Sequence, residues 1–415
     1  MTALSTTRAY VVGTFDTKGA ELQYVSDLLK ANGVATVRVD VSTKPHEWRV
    51  DIAARTVAAH HPLGQGAVFE KTDRGQAISA MTEALRACVA TRNDVGGIIG
   101  LGGSGGTALI TPTMRDLPLG VPKVMVSTLA SGDTAPYVGV HDITMVFPIT
   151  DIAGLNRLSR VILGNAAHAL AGMMLNPIPA ATDDKPALGI TMFGVTTPCV
   201  QQMTASLSQD YDCQVFHANG LGGRAMEAMA KAKLLHAVVD ITTTEAADYL
   251  LGGVCSAGAE RFDAIVATGV PWIGSTGALD MVNFWAPETV PERFRERLFH
   301  VHNANVTLMR TTAEEMCKVG TWIAEKLNRS PGYVCWLLPE VGVSALDAPG
   351  QAFHDPHANA AMINAITQSF LPSASHRLVY VPHHINSAAF AATAIGQVRR
   401  VLNESARSRW PRSGT

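Results

Sequence analysis

The chain has 415 residues, room for two or three domains at very roughly 150 residues each, and each would be large enough to bury a core. Apolar residues make up 47% and charged residues 16%, with 36 glycines, which argues against a disordered chain and for tight loops and sheets covered on both faces. Lysine plus arginine (33) nearly cancels aspartate plus glutamate (35), and no basic stripe interleaved with aromatics occurs, so nucleic acid is set aside as a partner.

The elements alternate from the start. "AYVVGTF" (residues 9–15) reads as a buried strand, "KGAELQYVSDLLKANG" spaces Leu22, Val25, Leu28 and Leu29 along one helical face, and "VATVRVDV" returns as a strand. That is a βαβ unit, which crosses over right-handed in a parallel sheet. A helix through "GQAISAMTEALRACVA", a strand at "VGGIIGLG", a helix from about Gly106, and strands at "PKVMVST" and "DITMVFP" continue the pattern. After the long helical stretch "LNRLSRVILGNAAHALAGMML", the segment "NPIPAATDDKPA" is the best linker, with a boundary near Asp183. Strands at "ALGITMFGVTTP", "CQVFHANG" and "HAVVDITTT" then alternate with helices near "CVQQMTASLSQ" and "GGRAMEAMAKAKLL", so the order starts again, as a second α/β domain or a distant duplication of the first. Strands at "YVCWLLP" and "RLVYVP" and helices at "HANAAMINAITQSFL" and "SAAFAATAIGQVRRVL" close the chain. The fold class expected is α/β, with two doubly wound, Rossmann-like domains of mainly parallel strands: residues 1–182 for nucleotide, residues 183–415 for a substrate or partner.

Ligands of such sheets collect at the carboxyl ends of strands. Three loops there are rich in glycine and hydroxyls: "GTFDTKG", with Gly13, Thr14, Asp16, Thr17 and Lys18; "GLGGSGGT", with Gly102, Gly103, Ser104, Gly105, Gly106 and Thr107; and "STLASGD", with Ser127, Thr128, Ser131, Gly132 and Asp133. Glycines admit a ligand close to the backbone, and successive N–H groups at a helix start favour an anion, which together suit a phosphate chain. Lys18 supplies a point charge, Asp16 and Asp133 are candidate ligands of magnesium, and Asp40 ends the second strand where related folds hold a ribose hydroxyl. "GLGGSGG" does not match the Walker pattern, and Gly100, Gly102 and Gly105 alone make an unspecific G-x-G-x-x-G. A plain strand-to-helix turn and a hydride-transfer dinucleotide site therefore stay open at this point.

"VVGTFDTKGAEL", "GLGGSGGT", "MVSTLASGD", "GITMFGVTTPCV", "VPWIGSTGALDMVNF", "TLMRTT" and "FHDPHANAAM" occur in that order along nearly the whole chain. In this the sequence resembles the Tm-1-like ATP-binding family, whose bacterial members are the uncharacterised UPF0261-type proteins. The resemblance implies two α/β domains, ATP with magnesium in the first, and self-association as a homodimer or higher homo-oligomer. The plant relatives carry a further carboxyl-terminal region, and their antiviral role is not transferred.

In the second half, "GVTTPC" and "DITTTE" place hydroxyls at strand ends, where a second substrate would bind. Cys199 lies at a strand-to-helix turn, where a lowered pKa would make it a nucleophile; a structural thiol is the favoured alternative, since no paired histidine is identifiable. Nine of the fourteen histidines follow residue 180, including His300, His302, His354, His357, His383 and His384, but no HExxH or cysteine spacing accompanies them. "PWIGSTGALDMVNFW" lacks periodicity and reads as a long ordered loop lining the interdomain cleft, and Arg310 offers a bidentate fork to a carboxylate or phosphate, with a structural ion pair as the alternative.

Cys88, Cys199, Cys213, Cys255, Cys317 and Cys335 have no CxxC spacing, the amino terminus has no signal pattern, and no uninterrupted run of about 18 apolar residues occurs. The expectation is a cytoplasmic protein with no membrane partner. Its function is expected to be that of an ATP- and magnesium-dependent enzyme of small-molecule metabolism with an acceptor, a carboxylate among the options, in the interdomain cleft. The rival is a non-catalytic ATP sensor or protein-interaction module. Catalysis stays open among Lys18, Asp133, Cys199 and Arg310.

Overall fold

A computed structural model describes residues 7–179 and 185–409. Its contacts fall into two units, Met1–Ala180 and Ala181–Thr415. The expected linker centre, Asp183, lies outside the described residues.

The first unit runs β1 (Arg8–Gly13), α1 (Phe15–Ala31), β2 (Thr36–Asp40), α2 (Ala54–Ala58), α3 (Gly66–Phe69), α4 (Arg74–Ala90), β3 (Val95–Gly102), α5 (Ser104–Asp116), β4 (Lys123–Ser127), α6 (Ala135–Val138), β5 (Thr144–Val146) and α7 (Arg157–Leu175). All five strands are parallel, in the order β2-β1-β3-β4-β5. Successive β1 residues point to opposite faces, and both faces are covered. Val11, with Ile99 and Val126, packs on Leu22 and Leu29 of α1 and Leu163 and Leu170 of α7, whereas Val12, with Ile98 and Met125, packs on Met81 and Leu85 of α4 and Ile110 of α5. Right-handed crossovers require this division, because β1 leads leftward to β2 and β3 leads rightward to β4. The turns leaving β1 and β3 therefore diverge to opposite faces, which opens a crevice at the carboxyl edge of the sheet.

Among the described residues, α7 is the one helix long and apolar enough to cross a membrane by length and composition. Ser159, Asn165 and His168 interrupt its apolar residues, so a search for an unbroken run passes over it. Leu163, Ala167 and Leu170 on one of its faces are part of the core.

The second unit runs β6 (Ala187–Met192), α8 (Thr197–Leu207), β7 (Asp212–His217), α9 (Leu221–Lys231), β8 (Ala237–Thr242), α10 (Thr244–Leu251), α11 (Asp263–Thr268), β9 (Trp272–Gly277), β10 (Met281–Phe284), β11 (Phe299–Asn303), β12 (Val306–Arg310), α12 (Ala313–Asn328), β13 (Val334–Pro339), α13 (Pro356–Ser369), β14 (His376–Val381) and α14 (Ala388–Arg409). Its parallel sheet has the order β7-β6-β8-β9-β13-β14, which reverses between β6 and β8 as the first sheet reverses between β1 and β3. An antiparallel sheet, β10-β12-β11, is inserted after β9. The long loop expected over Pro271–Trp285 is instead β9, a three-residue turn and β10. Every residue from Pro271 to Phe284 is buried, so neither face alternates with solvent and no period of two appears in the sequence.

Candidate functional site

In the first unit the turn after β1 is fixed from below. Asp40, 3% exposed at the end of β2, accepts hydrogen bonds through Oδ1 from the amides of Phe15 (3.3 Å) and Ser42 (2.9 Å) and from the Ser42 hydroxyl. His46 Nε2 lies 2.8 Å from its Oδ2. Oδ1 thus holds the start of α1 and the Ser42 turn, and Oδ2 faces His46, so within the fold Asp40 positions the β1 turn. The Asp16 amide donates to Ser42 Oγ (3.0 Å), which leaves the Asp16 carboxylate at the top of the turn. Its Oδ1 is buried and has no hydrogen-bond partner. Thr14 and Thr17 pair their hydroxyls at 2.7 Å. Lys18 interrupts the helix (φ −132°, ψ 26°), and its Nζ donates to Ile152 O at 2.6 Å, with two further protons available.

The turn after β3 depends on glycine. A Cβ on Gly102 would lie 2.8 Å from Gly106 Cα, so only glycine lets α5 begin this close to the strand end. Gly103 is the N-cap of α5, and no side chain caps the helix. The first amides of a 13-residue helix thus face the crevice with their share of the helix dipole. Thr107 Oγ1 bonds Gly103 O (2.8 Å) and Ser127 Oγ (2.6 Å), and the Thr128 amide bonds Gly102 O (3.4 Å), which ties the β3 and β4 turns together. Thr128 Oγ1 is the nearest group to where a Gly103 Cβ would sit, at 3.7 Å. Ser104 is exposed on α5, and Gly105 approaches Ile78 of α4.

Ser131, Gly132 and Asp133 are exposed, and Asp133 Oδ1 accepts the Ala135 amide at 3.0 Å. Asp16 and Asp133 leave from β1 and β4, with β3 between them in the sheet. Among the described residues no group of three His, Cys, Asp or Glu is arranged to hold a metal, so the histidines of the second half do not form such a cluster there. The features that fit a phosphate with its counter-cation are the bare Asp16 oxygen and the uncapped glycine start of α5.

In the second unit the hydroxyls expected to face a ligand are bonded within the fold. Thr196 pairs with Thr242 at 2.7 Å, Thr191 donates to Asp240 and accepts the Thr242 amide, and Thr243 donates to Ser275 O, all buried. Cys199 is fully buried, and burial pushes its thiol up to about 12, so it is a protonated core thiol, in line with the structural alternative favoured from the sequence and not with the nucleophile. Arg310 donates through Nε to Phe353 O (2.7 Å) and through Nη1 to Thr311 Oγ1 (2.9 Å) and Asp280 O (3.3 Å), which leaves Nη2 as the free arm of its fork.

Charges collect deeper. Arg261, fully buried, meets Glu245 at 2.7 Å, Asp240 at 2.8 Å and Glu227 at 3.1 Å. Burial raises the pKa of both Glu227 and Asp240, and the neighbouring Arg261 opposes it only in part. For Arg261 burial disfavours the cation, and the three carboxylates outweigh burial and raise its pKa. A cavity of about 360 Å³ lined by Arg224, Glu227, Ser256, Glu260 and Arg261 reaches one side of this cluster.

Residues 7–178 match the N-terminal domain of the uncharacterised protein family UPF0261, and residues 185–402 match its C-terminal domain. The chain belongs to UPF0261. A UPF0261 protein of Mesorhizobium japonicum is 56% identical over 384 residues, 92% of this chain and 96% of its own, and one of Clostridium tetani is 42% identical over 398 residues, 95% and 98% of the two chains. The ToMV resistance protein Tm-1(GCR237) of Solanum lycopersicum is 41% identical over 423 residues, which cover 96% of this chain and 56% of the tomato protein.

The glycine turns of this UPF0261 protein's first unit are legible in its sequence; the buried charge cluster around Arg261 in the second unit passes unnoticed there. Its one signal is the acid in "VVDIT", a charge inside an apolar strand, and the sequence reading takes that segment for its hydroxyls.

Proposed function

We propose that this protein binds ATP with magnesium at the turns after β1 and β3, and that it is an ATP-dependent enzyme acting on a small-molecule acceptor, with carboxylates among the acceptors to test. The observation that carries the reading is the buried, unpartnered Asp16 Oδ1 in the turn after β1 together with the uncapped start of α5 after β3, the two neighbouring strands at which the strand order reverses. The amides of Ser104, Gly105 and Gly106 would hold phosphate oxygens, Asp16 would hold the cation, and Lys18 would add positive charge. Magnesium-bound ATP, when present, supplies the phosphoryl group and its electrophilic phosphorus; the chain's part is to fix that group and neutralise its charge. Cytoplasmic location and self-association belong to the same proposal.

Calorimetry with ATP, with and without magnesium, tests it. Asp16→Asn and Gly105→Val should each weaken magnesium-ATP binding by about tenfold or more, the scale of one charge-assisted contact, while circular dichroism stays unchanged. Unaltered affinity in both variants would place the nucleotide elsewhere. The mutual bonding of Thr191, Thr196 and Thr242, with Thr243 bonded to Ser275 O, favours a second reading, a nucleotide sensor without an acceptor. ADP release stimulated by any member of a panel of small carboxylates and hydroxy acids selects the enzyme; tight binding without stimulated turnover selects the sensor.

A further inference from the structure

The second unit contains a buried polar cluster with unpartnered atoms. It lies where the turn after β9, the end of β12 and the loop after β13 meet. Arg310 is 6% exposed and Asp347 fully buried. Arg310 Nη2 makes no hydrogen bond, and its nearest carboxylate oxygen, Asp347 Oδ1, is 3.9 Å away. His354 Nδ1 also lacks a partner and stands 3.9 Å from the same oxygen. Asp347 Oδ1 accepts the Asp355 amide (3.3 Å) and keeps a lone pair for a second donor, while Oδ2 is engaged by Asn359 Nδ2 (2.6 Å) and the Val343 amide (3.0 Å), so the carboxylate cannot turn toward Arg310 without breaking these bonds.

A donor and an acceptor held 3.9 Å apart are too distant to bond each other and too close for a two-atom bridge. One oxygen that accepts from Arg310 and donates to Asp347 reaches both at roughly 2.8 Å. A ligand carboxylate would face Asp347, and an ammonium would face Arg310; a hydroxyl satisfies both. The backbone holds this geometry under strain. Ala278, two residues before Asp280, has φ +58°, and Gly342 has φ +138° at a point where a Cβ would collide with the Asp347 carbonyl. Asp280 completes the cluster: its Oδ2 accepts from Ser344 Oγ (2.7 Å), and its Oδ1 has no partner. The His354 side chain is 27% exposed, which makes it the way in from solvent.

We infer that Arg310 and Asp347 bind a hydroxyl of a small polyhydroxyl compound, a polyol or hydroxy acid, that enters past His354. The assignment stands on the second unit alone and holds whether or not the first unit binds nucleotide.

The test uses the full chain without nucleotide and titrates four probes by ligand-observed NMR: glycerate and ribose, each against its deoxygenated counterpart, propionate and 2-deoxyribose. The expected result is that at least one hydroxylated probe binds and its counterpart binds about tenfold more weakly or worse, because losing the hydroxyl strands the buried charged donor, Arg310 Nη2. Arg310→Lys, which keeps the charge but lacks the second nitrogen, and His354→Ala, which removes a group with no hydrogen bond to the fold, should each remove most of that preference. His354→Ala decides the matter if Arg310→Lys fails to fold. Equal binding of hydroxylated and deoxygenated probes, an unchanged preference in the folded variants, no binding of any probe at millimolar concentration, or a glycerate-soaked crystal showing only a water between Arg310 and Asp347 would each overturn the assignment.

Discussion

Arg261→Met gives the sharpest test of the buried charge cluster. The guanidinium makes three short contacts, with Glu245 (2.7 Å), Asp240 (2.8 Å) and Glu227 (3.1 Å), and the side chain has no exposed surface. Methionine fills a similar volume but leaves three buried carboxylates with no counter-charge. Removing one partner of a buried ion pair costs about 3–5 kcal/mol, and for a unit of this size about 2–4 °C of melting temperature accompanies each kcal/mol, so the shift should be on the order of 10 °C. The pH dependence carries the sign. In the native protein burial already raises Glu227 and Asp240 above their usual values of 4.5 and 3.8, and loss of Arg261 raises them further. An acid whose folded pKa exceeds its unfolded one takes up a proton on folding, so its native state is stabilised at low pH and loses that stability as pH rises through the folded pKa. Melts of wild type and Arg261→Met, followed by circular dichroism at pH 5 to 8, should therefore diverge as pH rises. A variant that melts within about 2 °C of wild type at pH 8, or whose deficit does not change with pH, would refute the reasoning.

Three further outcomes are expected. Burial raises Asp248 and Asp280 to about 7 each, so thermal stability should fall as pH rises through about 7, and Asp280→Asn should flatten part of that fall in the same melts. Gly102→Ala places a Cβ 2.8 Å from Gly106 Cα and should destabilise the first unit by about 1–3 kcal/mol in urea unfolding, with nucleotide affinity lost in proportion to the shift of α5. Cys317 is the exposed thiol, and a disulfide-exchange reagent at pH 8 should modify it first, while Cys199, pushed up to about 12 by burial, reacts only when the protein unfolds.

The contrast between the two units shows what a single sequence can and cannot reveal. Glycine turns are legible because their cause is local: Gly102 and Gly106 are four residues apart, and the clash that excludes a side chain lies within that turn. The parallel strands are legible for the same reason, since burial on both faces writes a continuous apolar run such as "YVVG" or "VMVS" into the chain. Asp40 shows where local reading stops. Its position at the end of β2 was foreseeable, but not its bond to α1, because Phe15, 25 residues away, reaches it only once α1 lies against the strand end.

The second unit extends that limit to whole networks. Arg261 lies 34 residues from Glu227, 21 from Asp240 and 16 from Glu245, and Arg310 lies 30 residues from the Asp280 carbonyl it holds. No spacing rule links such residues, because each contact follows from which strand neighbours which, and β10 to β12 are inserted between β9 and β13. Burial also removes the cue that would betray them, since a strand such as "AVVDIT", enclosed on both faces, shows one acid among apolar residues and nothing of its partner. The same enclosure makes an unsatisfied charge in this region expensive. That cost is why Arg310 Nη2, buried, without a partner and held 3.9 Å from Asp347 Oδ1 by bonds to the rest of the fold, points to a ligand hydroxyl.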